Sequence, residues 1–266
     1  MNIHPTAIVD PGAELDSSVI VGPYVIIEKG VKIGQETTIK PHTVITGPTT
    51  IGSGNLIGPF ATIGAPPQDL KYKGEDTELV IGDNNQIREY VSIHRGTVTD
   101  KGITSIGNGN LLMGYVHIAH DCVLGNSAIL ANAATLAGHV QIEDHAIIGG
   151  LVAVHQFSRI GAYSYIGGLS GISRDVPPFI IVSGIRKQMR VSGINKIGLR
   201  RHGFDKETLK KLDKAYKIIF MSPNLLLKDA LEQAAGEISD CEPVKQLIDF
   251  FHNSKQGVLR TVETAD

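Results

Sequence analysis

From its third residue the chain places an aliphatic side chain at every sixth position, a period that few folds can use. Stepping in sixes from Ile3 meets Val9, Leu15, Val21, Ile27, Ile33, Ile39, Ile45, Ile51, Ile57 and Ile63. The series resumes at Ile81, Ile87 and Ile93, and again from Ile106 through Leu112, Ile118, Leu124, Leu130, Leu136, Ile142, Ile148, Val154, Ile160 and Ile166 to Ile172. Helices repeat near 3.6 residues and strands at 2, so neither ordinary element fits. A three-sided prism does. Each hexad forms one flat face and one corner, its aliphatic residue points inward, and three hexads close a coil of eighteen residues. Coils then stack at the strand spacing of roughly 4.8 Å, as a parallel β-helix. The 26 hexads make nearly nine coils. Glycine often follows the inward residue, as at Gly22, Gly34, Gly52, Gly107 and Gly149, and reads as the residue that turns the corner.

Two stretches break the rhythm. Residues 64–80 are too polar and proline-rich to continue the inward pattern, and the interval from Ile93 to Ile106 is one residue out of phase. Segments 64–80 and 94–105 are therefore predicted to be external loops, the places on a rigid scaffold where binding groups concentrate. After Ile172, Arg174-Asp-Val-Pro-Pro178 cannot easily continue a ladder because proline lacks the amide donor. The reading is a mainly β chain, with a hexapeptide-repeat prism over 1–185 and a small C-terminal helical domain over 186–266. Asp205 reads as the cap of a helix from Lys206, with Leu209, Leu212, Tyr216, Ile219 and Phe220 on one face. Ser222-Pro223 reads as the start of a second helix and Glu242-Pro243 of a third, carrying Val244, Leu247, Ile248 and Phe251.

A core of this size needs no metal or disulfide staple. The two cysteines, Cys122 and Cys241, have no metal-binding spacing and read as free thiols in a reducing compartment. The first residues lack a basic segment followed by an apolar run, and no stretch of about eighteen apolar residues occurs. A cytoplasmic protein without stable membrane insertion is expected. A formal charge of −2 gives no general case for nucleic acid.

Chemistry points to the histidines. His4, His42, His145 and His252 read as surface residues. In the run 115–122, His117 and His120 flank the inward Ile118, and Asp121 follows His120. One coil of eighteen residues places Gly138 beside His120 and His139 beside Asp121, with Gln156 above Gly138 and His155 and Phe157 flanking it. A carboxylate beside an imidazole orients it and supports its basicity, as general-base activation of a hydroxyl requires. Gly138 leaves its backbone amide open to a developing oxyanion. The competing use of these histidines is zinc. Hexapeptide-type carbonic anhydrases join three imidazoles at one metal, with the close pair five positions apart. Here the pair is three apart and no third histidine converges, so no metal is expected. Flat Thr/Ser ladders, which an ice-binding or partner-binding surface would favour, are absent from the sequence.

The runs Asn110-Leu-Leu-Met-Gly-Tyr-Val-His-Ile-Ala-His-Asp-Cys122, Ile129 to Val140 and Ala146 to Phe157 resemble the UDP-N-acetylglucosamine O-acyltransferases that begin lipid A synthesis. Gln68-Asp-Leu-Lys-Tyr72, Ser92-Ile-His-Arg-Gly-Thr97 and Asp175-Val-Pro-Pro178 extend the resemblance over essentially the whole chain. It implies a left-handed β-helix. It also implies transfer of a 3-hydroxyacyl group from acyl carrier protein to the glucosamine 3-hydroxyl of UDP-N-acetylglucosamine, without a cofactor. His120 would be the general base, Asp121 its support and Gly138 the oxyanion donor. Asp69, Lys71, His117, His139, His155, Gln156, Asn195, Arg200 and Arg201 would bind substrate, and Gly168 would floor the acyl groove. Members of the family are trimers with sites between subunits, so a homotrimer is expected.

The chain departs from the family where Gly198-Leu-Arg-Arg-His-Gly203 carries His202 in place of a second expected arginine. It is also longer near Arg186-Lys-Gln-Met-Arg190, where positive charge could steer the acidic carrier. An acceptor with a 3-amino group remains an alternative. So do a different hexapeptide transferase using acetyl-CoA, a non-catalytic scaffold, and the later N-acyltransferase, although the last carries an N-terminal uridine-binding domain.

Overall fold

The computed structural model describes residues 2–185 and 188–260. Arg186 and Lys187 of the basic stretch lie outside the described residues. Short strands recur with the hexads and assemble into three parallel faces, each taking every third strand. The first face runs from Asn2–Ile3 to Arg190–Ile194, the second from Ile8–Val9 to Gly171–Ile172, and the third from Glu14–Leu15 to Arg159–Ile160. Residues eighteen apart pair across neighbouring coils, as Leu124 with Ile142. The inward aliphatics fill the axis: Ile45, Ile63, Ile93 and Ile118 on the second face are all fully buried. Burial of one such side chain contributes roughly 1.5–3 kcal/mol, so the column is the main source of stability.

Both breaks in the period leave from the same corner, between the second and third faces. Strand Thr62–Ala65 gives way to residues 66–77 before Glu78–Ile81, and Ser92–His94 to residues 95–102 before Ile103–Ile106. The excursions are thus shorter than 64–80 and 94–105, because their flanks still pair with the coils above and below. Ile51 pairs with Ile81 and Ile81 with Ile106, so the loops are extruded without moving the inward register.

The glycines after the inward residues serve a different purpose from the expected one. Backbone at positive φ falls mostly on other residues, including Tyr24, His42, Asp121 and His139. At Gly107 an added Cβ would lie 2.5 Å from the Gly125 carbonyl oxygen of the next coil. Glycine is required there for close stacking between coils.

Beyond residue 185 the first face continues. Arg190–Ile194 pairs antiparallel with Ile180–Ser183, reversing the direction of the sheet. Among the described residues four helices follow: α1 Lys196–Arg201, α2 Lys206–Phe220, α3 Leu227–Glu237 and α4 Glu242–His252. Asp205 caps α2 by accepting from the Thr208 amide at 2.7 Å, and Pro243 opens α4, as the sequence predicts. Two expectations fail here. Helix α1 was not foreseen, and α3 starts at Leu227 and not at Ser222-Pro223. The Ser222 hydroxyl turns back to the Lys217 carbonyl at the end of α2, and the N-cap of α3 is Leu226, four residues further on.

Candidate active site

Five levels of the corner between the second and third faces carry the polar chemistry: the loops 66–77 and 95–102, then His120–Asp121, Gly138–His139 and Gln156–Phe157. Asp121, His139 and Phe157 all turn the chain with φ of 60–65°, a conformation that Asp and His adopt more readily than most residues. The amide of His139 bonds the His120 carbonyl (3.0 Å) and that of Phe157 the Gly138 carbonyl (3.1 Å). Successive corners are thereby locked in line.

At the centre, His120 Nδ1 lies 2.8 Å from Asp121 Oδ2. The Asp121 side chain is 1% exposed and the His120 side chain 16%. Thr97 donates to the carboxylate twice, from its amide to Oδ1 (2.8 Å) and from its hydroxyl to Oδ2 (2.6 Å). The Asp121 amide in turn donates to Thr104 Oγ1 at 2.8 Å. A carboxylate accepts only, so His120 carries its proton on Nδ1 and keeps Nε2 free as an acceptor. Gly138 lies directly against this ring: a Cβ there would sit 2.6 Å from His120 Cε1. Its N–H has no acceptor among the described residues.

His139 stands edge-on to His120, centroids 5.2 Å apart, and stacks on Phe157 at 4.4 Å. Its Nδ1 meets Asp100 Oδ2 at 3.1 Å and its Nε2 lies 3.7 Å from Asp121 Oδ2. Above these groups opens a cavity of about 810 Å³, lined by Asp69 and Lys71 from the first loop, Thr99 and Asp100 from the second, and His120, His139 and Gln156 from the corner. Arg95 ties the loops together, bonding the Gly47 and Gly64 carbonyls and the Tyr72 hydroxyl.

The other expected binding residues lie elsewhere in the chain. His117 sits on the second face, bonded to Ser92 Oγ at 2.8 Å and edge-on to His94. Burial, and then His94, holds its imidazole below the ordinary histidine value. His155 does not line the cavity and turns its Nδ1 to the Gln156 carbonyl. Gly168 belongs to the corner between the first and second faces. Asn195 is buried and spends its side chain on structure, capping α1 through the Gly198 amide and donating to the Tyr163 carbonyl. Arg200 and Arg201 are exposed in the last turn of α1. Arg200 lines a separate cavity of about 250 Å³ with Lys196, Lys206 and Lys210. His202 packs against His145 at 4.6 Å and Tyr163 at 5.2 Å, and burial with His145 lowers its pKa. Burial, with Asp121 alongside, pushes the Cys122 thiol up to about 12.

Sequence reasoning did not single out Thr97, Thr99 and Asp100 as site residues. A hydroxyl–hydroxyl–carboxylate run in the loop beside the histidine coil was the available signal. Donor atoms of His120, Asp121 and His139 all lie within 4.8 Å of one another, a set that can ligate a cation. In the folded chain the carboxylate already accepts from Thr97 and His120, an arrangement suited to proton transfer.

A prism of hexads with a His–Asp pair at one corner defines the hexapeptide transferase class. Residues 30–65 match the family described as bacterial transferase hexapeptide (six repeats), and residues 175–259 match UDP-N-acetylglucosamine O-acyltransferase, domain 2. An acyl-[acyl-carrier-protein]–UDP-N-acetylglucosamine O-acyltransferase of Paraburkholderia phymatum is 51% identical over 263 residues, covering 97% of this chain and 99% of its own. The crystal structure of the UDP-N-acetylglucosamine O-acyltransferase of Moraxella catarrhalis is 48% identical with a TM-score of 0.93, covering 98% of this chain and 100% of that one. The corresponding structure from Acinetobacter baumannii is 47% identical with a TM-score of 0.92, covering 97% and 99%. The chain belongs to the UDP-N-acetylglucosamine O-acyltransferase family: it is an acyltransferase built on a left-handed parallel β-helix.

Proposed function

We propose that the protein transfers a 3-hydroxyacyl group from acyl carrier protein to the glucosamine 3-hydroxyl of UDP-N-acetylglucosamine, the first step of lipid A synthesis. The observation that carries the mechanism is His120 on the cavity wall with Asp121 buried behind it, beside Gly138, whose N–H has no acceptor among the described residues. His120 Nε2 takes the proton of the sugar hydroxyl as its oxygen attacks the thioester carbon. The resulting oxyanion is stabilised by the Gly138 N–H, and the imidazolium returns the proton to the leaving thiolate. Every step is a proton transfer or an acyl transfer, so the reaction needs no metal or other cofactor. Asp69, Lys71, His139 and Gln156 are placed to bind the acceptor. His117 and His155 border the same face.

The protein acts as a homotrimer in this reading. Gly168, Asn195, Arg200 and Arg201 do not line the His120 cavity within one chain, and a neighbouring subunit would bring that surface to it. Asn195 then acts by positioning α1. With His202 packed against His145, the diphosphate falls to Arg201. Among the described residues no helix is long and apolar enough to cross a membrane, and both substrates are soluble, which suits a reaction in the cytoplasm.

The test is acyl transfer by the purified protein from a series of 3-hydroxyacyl carrier proteins to UDP-N-acetylglucosamine, read by mass spectrometry. A single hydroxyacyl ester is expected, and a folded His120→Ala protein should lose about a thousandfold in turnover, within the range of general acid–base catalysis. Product only with a 3-amino acceptor or with acetyl-CoA would overturn the substrate assignment. Near-normal turnover by His120→Ala would overturn the mechanism.

A further inference from the structure

The loop 95–102 reaches the reactive pair by a route whose direction can be worked out from the donors and acceptors alone. Asp121 Oδ2 accepts from His120 Nδ1 and from the Thr97 hydroxyl, 2.8 and 2.6 Å away. Because the Thr97 proton points at the carboxylate, the Thr97 oxygen is the acceptor in its 2.6 Å contact with Thr99 Oγ1. The Thr99 proton is therefore committed to Thr97, and Thr99 is exposed on the cavity wall. A one-way series results: Thr99 hydroxyl to Thr97 hydroxyl to Asp121, with His120 donating to the same carboxylate oxygen from the other side. Thr97 itself is 2% exposed, out of reach of a ligand in the cavity.

We infer that Thr97 is a positioning residue of the reaction, holding the Asp121 carboxylate in the one orientation that keeps the His120 proton on Nδ1 and its Nε2 toward the acceptor hydroxyl. The inference rests on the general-base role proposed for His120. Two bonds from one residue fix a carboxylate in rotation as well as position. Without the hydroxyl bond, only the Thr97 amide on Oδ1 and the His120 ring itself hold the carboxylate, so Oδ2 can turn away and His120 loses the partner that sets its tautomer. The extra bond thus acts on the rate of proton transfer and leaves substrate binding alone.

The experiment compares Thr97→Val, Thr97→Ser and Asp121→Ala, and the Thr97→Val/Asp121→Ala double variant, in the full-length enzyme. Thr97→Val keeps the shape and the amide bond to Oδ1 and deletes only the hydroxyl. It should lower kcat about tenfold, the rate equivalent of one ordinary hydrogen bond, with KM for both substrates within about twofold. Thr97→Ser should restore kcat. In the Asp121→Ala background the same substitution should add less than about twofold, because Thr97 acts through Asp121.

A folded Thr97→Val enzyme with kcat within about twofold of the parent would overturn the inference, as would a full tenfold loss on top of Asp121→Ala. If Thr97→Val does not fold, Thr99→Val at the exposed end reads the same series: about a threefold fall in kcat supports it, and no fall overturns it. His120→Ala separates the two levels. An active His120→Ala protein removes the general-base reading, whereas an inactive one beside a normal Thr97→Val removes only the positioning role.

Discussion

Two corners of the same prism have the same backbone and opposite contents. Between the first and second faces, Tyr24, His42, Phe60, Tyr90 and Tyr115 all turn at positive φ and stack in an unbroken column, centroids 4.8–5.2 Å apart. Between the second and third faces, Asp121, His139 and Phe157 turn with the same φ, but the column below them is replaced by two extruded loops. Coil spacing matches ring stacking, so rings on successive coils of an uninterrupted corner stack, and above Tyr115 the same corner continues with Ala133, Leu151 and Leu169. A corner interrupted by loops gains a cavity, and polar loop groups line it. The repeat supplies a fixed backbone, and its interruption supplies the chemistry.

The contrast can be broken most severely at Gly138. In Gly138→Ala the new Cβ would meet His120 Cε1 at 2.6 Å, so the imidazole must swing. Turnover should fall about a hundredfold with little change in melting temperature, since misplacing a reacting group by an ångström costs that much. Parent-like kcat would show that this corner tolerates filling after all. Phe60→Ala is the converse. It removes stacks on both His42 and Tyr90, and should lower unfolding stability by about 2 kcal/mol while leaving kcat intact. A loss of activity at unchanged stability would mean that the two corners are not separable.

Asp100→Asn probes the loop side of the same contrast. His139 keeps its place on Phe157 but loses its carboxylate partner, and KM for the sugar nucleotide should rise about fivefold with kcat nearly unchanged. A change confined to kcat would reassign Asp100. The smallest effect is expected from His117, whose folded pKa lies below the ordinary 6.5 through burial and His94. The unfolded chain then binds the proton more readily. Its contribution is intact above about 6.5 and is lost as pH falls through the folded value. His117→Gln should flatten the acid side of urea midpoint plotted against pH, and an unaltered slope would show that this imidazole is not what titrates.

The inward column and the His120–Gly138 juxtaposition were legible because nothing interrupts the hexads from Ile106 to Ile172, so adding eighteen to a residue number finds its neighbour. That arithmetic fails at Thr97 and Asp100. They sit in a break of the period, and only the folded loop shows that they return to the corner. His155 was placed at the correct level, but level does not fix side-chain direction, and its ring turns back to the Gln156 carbonyl. The glycines were noticed for a turn, whereas their cause is a neighbour one coil away, beyond a local reading. The Ser222-Pro223 signal places α3 too early, because the Ser222 hydroxyl bonds back to α2 and the helix opens only at Leu227.

A stack of parallel coils is in principle endless, since each coil is a template for the next. The reversal at Arg190–Ile194 ends that process in the molecule itself. On the first face the final strand runs against its neighbour, so that face no longer offers a parallel edge on which a second chain could continue the spiral, while bridges Gly171–Ile185 and Ile160–Val176 lie over the ends of the other two. Residues outside the reactive corner thereby finish the solenoid, turning a repeat that has no intrinsic length into one with a defined end.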